Sequence, residues 1–165
     1  MGLTERIAAA LPGFRGYKEK ELRRESDKLI RTHLVLKLSK GKDNIRAIAQ
    51  RIADKRYIDA LTDIDRLSAK MDRITEKINH ASYGYAGFFD IVKIKEENLD
   101  RVIAYDTQLV ENVNTLTDQI DTIKTQLLGG DYTNIKDKIQ TITDKFELLE
   151  DAFDKRKETI TGVHA

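Results

Sequence analysis

Cysteine and tryptophan are absent from this 165-residue chain, and proline occurs once. Without cysteine there is no disulfide, no thiolate metal site and no cysteine nucleophile, a composition that fits a reducing compartment. No apolar run approaches the ~20 residues needed to span a bilayer. The uninterrupted apolar stretch at residues 7–11 is too short for the core of a secretory signal. A cytoplasmic chain is therefore expected, with a peripheral membrane position as the variant considered below. Charged residues, by contrast, are plentiful at 35%. That share suits long helices with wide solvent-facing sides better than a compact α/β domain.

Pro12 and the nine glycines are the natural helix stops, because proline lacks an amide donor and glycine costs backbone entropy. Read as punctuation, they predict helical segments over about 17–40, 42–80, 95–128 and 132–160. On this reading Gly41 separates the first two, Lys40 and Lys42 lie at a helix C-terminus, and Asp43 caps the next helix. Asp131 or Thr133 is expected to cap the last.

The two final segments carry a strict three-four spacing. Leu99, Val102, Asp106, Leu109, Val113, Leu116, Ile120, Ile123 and Leu127 form one stripe. Tyr132, Ile135, Ile139, Ile142, Phe146, Leu149, Phe153, Arg156 and Ile160 form the other. Such spacing is that of a coiled-coil seam. Folding back through Gly129-Gly130 pairs Ile120 with Ile139 and Val113 with Phe146. It also brings the two charged exceptions, Asp106 and Arg156, nearly side by side, which predicts an ion pair that fixes register. In segment 42–80 the stripe is displaced between Ile52 and Ala60, which requires a stutter, a bend near Tyr57 or a change of packing partner. The second half of segment 17–40 is apolar nearly all round and is expected to be enclosed. No repeat beyond the heptads is evident. The fold class is all-α: an elongated antiparallel bundle of about four long helices, residues 17–165, preceded by a short amphipathic segment, residues 1–16.

Charge is polarised along the chain. Residues 1–56 hold 15 Lys/Arg against 7 Asp/Glu, while residues 57–165 hold 14 against 21. The simplest expectation is that the basic helices pack along the acidic hairpin and neutralise it. Nucleic acid is disfavoured as a partner: cations alternate with Glu19, Glu21, Glu25 and Asp27, and no zinc-finger spacing or RNA-binding aromatic signature occurs.

Three places invite a functional reading. In the first, Leu3, Ile7 and Leu11 recur every fourth residue, followed by Arg15, Lys18 and further cations. That combination of apolar stripe and positive charge suits an anionic membrane surface. The opening Met-Gly-Leu-x-x-Arg-Ile resembles the start of the phage-shock/vesicle-inducing membrane-remodelling proteins. The likeness covers about seven residues, and Pro12-Gly13 departs from the single long hairpin of those proteins. The second is the connection at 82–90, where Tyr83, Tyr85, Phe88 and Phe89 stand among glycines as a partner contact or a hydrophobic plug. The third, a catalytic or metal centre, has thin support. His33 lies among apolar neighbours as a structural histidine, Glu76 and His80 form a surface pair, and no nucleophile has a base and orienting group. No cofactor, metal or small-molecule substrate is indicated. The expected function is a non-enzymatic scaffold or protein-interaction module, self-associating or binding a protein partner. The alternative is peripheral membrane docking through the N-terminus.

Overall fold

The computed structural model describes residues 2–17, 19–82 and 96–161. Five helices account for the regular structure there: α1 (Leu3–Ala10), α2 (Lys20–Asp54), α3 (Ile58–Ser82), α4 (Glu96–Leu128) and α5 (Ile135–Thr161). α2 packs on α3 and α4, α5 packs on the same two helices, and α1 lies on α4. The four long helices thus form a square, with α2 and α5 on one diagonal and α3 and α4 on the other.

Side-chain partners set the helix directions. His33 meets Asn114 and Asn44 meets Asp121, so α2 and α4 run parallel. Lys70 meets Glu147 and Lys77 meets Asp154, so α3 and α5 do as well. Two antiparallel hairpins, α2–α3 and α4–α5, therefore stand side by side in the same orientation. The two stripes expected to meet in the second hairpin lie in the core, with Val113, Ile120, Ile139 and Phe146 all buried and α4 packed on α5.

The first hairpin departs from expectation at Gly41. This residue sits inside α2, not at its end. A Cβ there would come 2.8 Å from Met71 Cε and 3.3 Å from Thr117 Cγ2, so the glycine permits close approach to α3 and α4. With Gly41 counted as a core position, the three-four stripe runs unbroken through Leu34, Leu38, Gly41, Ile45, Ile48 and Ile52. It then repeats the pattern of the second hairpin: Ile45 answers Ile120, Ile48 answers Ile123, Ile64 answers Ile139 and Met71 answers Phe146, each pair equally far apart in sequence. The chain thus carries a repeat of core positions that residue identity conceals.

Asp43, expected as a cap, lies mid-helix and accepts from Arg46 at 2.9 Å. α2 ends instead at Lys55-Arg56-Tyr57, where Arg56 takes φ 58°. The amide of Tyr57 reaches Ile52 O at 3.0 Å and that of Arg56 reaches Ala53 O at 2.9 Å. This paired closure is the one glycine usually provides. Gly130, at φ +81°, provides it for α4. Asp131 Oδ1 accepts the Thr133 amide at 2.9 Å and shapes the turn before α5 instead of capping that helix. The enclosure expected for the second half of segment 17–40 also fails at one residue, since Leu36 is exposed.

Candidate functional site

The densest polar chemistry lies at the end of the bundle where the α1–α2 linker meets the start of α4 and the last turns of α5. Pro12 ends α1, and the left-handed Gly13 and Gly16 fold the linker over the bundle. Phe14 and Tyr17 meet edge to face at 5.3 Å. α2 holds this loop by its backbone: Arg23 Nε donates to Tyr17 O at 2.8 Å, and Ser26 Oγ to Gly16 O at 2.9 Å. Tyr17 is thereby driven inward, and its hydroxyl donates to Asp106 Oδ2.

The other oxygen of Asp106 accepts from Arg156 Nε. The expected ion pair is present, with side-chain exposures of 1% for Arg156 and 0% for Asp106. The sequence reading named these two residues and missed the others gathered around them. Asp27, buried on α2, accepts from Arg31 Nε at 3.1 Å through Oδ2, while its Oδ1 has no hydrogen-bond donor among the described residues. Burial pushes the Asp27 carboxyl up to about 6 against the pull of Arg31 and Arg156, and Asp106 adds to the push. Burial, reinforced by Asp106, also holds the Tyr17 phenol protonated well above its usual range. Pairing apolar stripes could not reveal this group, because Tyr17 arrives from a loop and Asp27, three residues before Ile30 on the buried side of α2, is itself charged.

The N-terminal stripe is largely consumed by the bundle. Ile7 and Leu11 are buried, while Leu3 and Arg15 remain exposed. Arg6 clamps α1 to α4 through Glu111, at 2.6 and 3.2 Å. Lys18 lies outside the described residues, as does the whole aromatic set Tyr83, Tyr85, Phe88 and Phe89. His33 Nε2 meets Asn114 Oδ1 at 2.8 Å, and His80 faces Glu76 at 3.7 Å on the surface. Among the described residues no three His, Asp or Glu side chains are grouped to hold a metal, and no helix is long and apolar enough to cross a membrane.

Charge neutralisation follows a different route from the expected one. The main ladder joins α3 to α5: Lys70 with Glu147, Arg73 and Lys77 with Glu150, and Lys77 with Asp154. Partial desolvation opposes ionisation at both Glu150 and Lys77, yet their mutual contact holds Glu150 below and Lys77 above their ordinary values. The cations of α2 take little part in that ladder.

At the opposite end, the turns 55–57 and 129–134 come together. Tyr57 and Tyr132, one from each, stack with centroids 5.6 Å apart and planes 19° from parallel. Beside them Tyr57, Ile58 and Leu128 are exposed by 52%, 70% and 53%. The sequence signal was present in part, because the displaced stripe marks Tyr57 as a bend. That the two turns would meet depends on the parallel arrangement of the hairpins. Comparison with known proteins finds no matching family model, no matching curated protein and no matching solved structure.

Proposed function

We propose that the chain is a non-enzymatic helical interaction module, a stiff bundle that offers its turn end to a protein partner. The supporting observation is the Tyr57–Tyr132 stack between the two turns, with exposed Ile58 and Leu128 at the helix ends that these turns join. Single exposed apolar residues are ordinary, but a cluster built on aromatics is the composition of a binding hot spot. Its backbone is fixed by the helix closures at Tyr57 and Asp131, so little ordering entropy opposes binding. The segment between α3 and α4 in the sequence, which carries Tyr83 and Tyr85, is a second candidate contact.

Site-specific photo-cross-linking in cells tests this reading. A photoreactive residue at position 58 or 128 should give a discrete adduct with another protein, while one at the exposed, polar Asp65 should not. Equal or absent labelling at all three positions would reject the turn end as a contact. Tyr57→Ala with Ile58→Ser should abolish the adduct formed at 128 without unfolding the bundle.

A further inference from the structure

We propose that the chain assembles with itself head to tail, the outer face of α5 around Leu148 in one copy seating in the groove between α2 and α3 of the next. The acceptor is a cavity of about 430 Å³ lined by Arg31, Thr32, Val35 and Leu36 of α2 and by Ile78 and Asn79 of α3. Leu36 is 68% exposed there. Between residues 28 and 42 the sequence places Lys28, Arg31, Lys37, Lys40 and Lys42 with no acidic residue among them. Arg31 serves Asp27 and Lys42 serves Asp72. Among the described residues, no carboxylate lies within ion-pair distance of Lys28, Lys37 or Lys40.

The donor has the opposite character. Leu148 of α5 is 69% exposed. Asp144 and Asp151, both exposed, lie one helical turn to either side of it. Leu148 thus has a carboxylate one turn away on each side, with Lys145 beside Asp144, while Leu36 has Lys37 next to it and Lys40 one turn on, and this excess of opposite sign is the charge complementarity that selects a partner surface. A lone exposed leucine would carry no argument; the pairing of apolar anchor with opposite charge on both sides does.

Geometry sets the form of the assembly. α2 and α5 occupy opposite corners of the bundle, so engaging one surface leaves the other open. The contact is heterologous and propagates instead of closing on a two-fold axis. One helix stripe in one groove buries less than the roughly 1,000 Å² of a stable interface. Association is therefore weak, concentration-dependent and screened by salt.

Sedimentation velocity of the full chain at high micromolar concentration and low salt tests the proposal. The average mass of the wild type should rise with concentration and fall as salt is added. Leu36→Glu disables the groove and Leu148→Lys disables the stripe, so each variant alone should sediment as a monomer. Mixed in equal amounts they should form a dimer and nothing larger, because each retains the half that the other lacks. Lys28→Glu with Lys40→Glu, which leaves Leu36 intact, should behave as Leu36→Glu does. Circular dichroism should be unchanged throughout, since the substituted side chains face solvent. A wild type that stays monomeric overturns the proposal, and titration with an acidic amphipathic peptide then shows whether a foreign helix fills the groove instead. Single variants that still assemble, or a mixture that remains monomeric, overturn it equally.

Discussion

Replacing Asp27 with Asn is expected to stabilise the fold at neutral pH by about 3 kcal/mol and to change little below pH 3.8. The magnitude follows from the surroundings of the carboxylate. One oxygen is held by Arg31 at 3.0 Å, the other is buried with no donor among the described residues, and the side chain is largely shielded from water. The folded chain therefore prefers the neutral acid, and the carboxyl titrates at about 6 where an exposed aspartate would do so at 3.8. At about 1.4 kcal/mol for each tenfold change in proton affinity, that rise amounts to about 3 kcal/mol. The direction follows from proton linkage. The folded state binds the proton more tightly than the unfolded one, so the contribution to stability is complete below 3.8. It is lost as pH climbs through about 6 and stays lost at neutrality. Asparagine approximates the neutral acid in shape and polarity and abolishes that loss. Urea unfolding of both proteins, followed by circular dichroism below pH 3.8 and again at neutral pH, gives the test. Other carboxylates titrate alike in both proteins, so the difference between the two curves isolates Asp27. A variant no more stable than wild type at neutral pH, or a difference that ignores pH, would refute the reasoning.

Two further outcomes follow from the same packing. Tyr17→Phe removes a buried donor to an ionised acceptor and should lower stability by about 1.5–3 kcal/mol, as measured by the urea midpoint, with no change in helix content. Were the loss only a few tenths, Tyr17 would be a bystander to the Asp106–Arg156 pair. Gly41→Val places new atoms against Met71 and Thr117 and should cost about 2 kcal/mol by overpacking. In a Met71→Ala background the same exchange should cost far less, since it fills space just vacated. A double-mutant cycle with no coupling between the two sites would show that Gly41 is not where the helices touch.

Much of the fold was legible because a seam spaced three and four has few alternatives once a Gly-Gly turn joins its halves. The Asp106–Arg156 pair followed from that geometry alone. The α2–α3 boundary was not, and the reason is physical. Glycine can end a helix by adopting positive φ or permit helices to touch by lacking a Cβ, and only the tertiary neighbours decide which. At Gly41 the neighbours Met71 and Thr117 decide it. The turn itself falls on Arg56, a residue with no helix-ending signature, and only the missing apolar position between Ile52 and Ala60 marked it. The polar group around Tyr17 was illegible for another reason: its members come from a loop, α2, α4 and α5, and a one-dimensional pattern carries no record of which stripes share a layer.

That polar group resolves an ambiguity that apolar packing leaves open. Two hairpins with the same spacing of core positions can slide by a heptad and still set isoleucine and leucine against isoleucine and leucine, at little cost. Sliding the second hairpin by one heptad against the first would instead carry Asp106 away from Tyr17, whose loop Arg23 and Ser26 hold to α2, and leave one oxygen of a buried carboxylate without its donor. Losing a hydrogen bond to a buried charged group costs roughly 1.5–3 kcal/mol, a sizeable part of the stability of a small domain. The N-terminal linker is bound by the same condition, because Tyr17 finds its acceptor only when α4 and α2 stand level. The level of α2 against α4 that the Tyr17 contact favours at one end is also the level at which Tyr57 and Tyr132 meet at the other. A change at Asp106 should therefore disturb the exposed aromatic surface at the far end of the bundle without touching it.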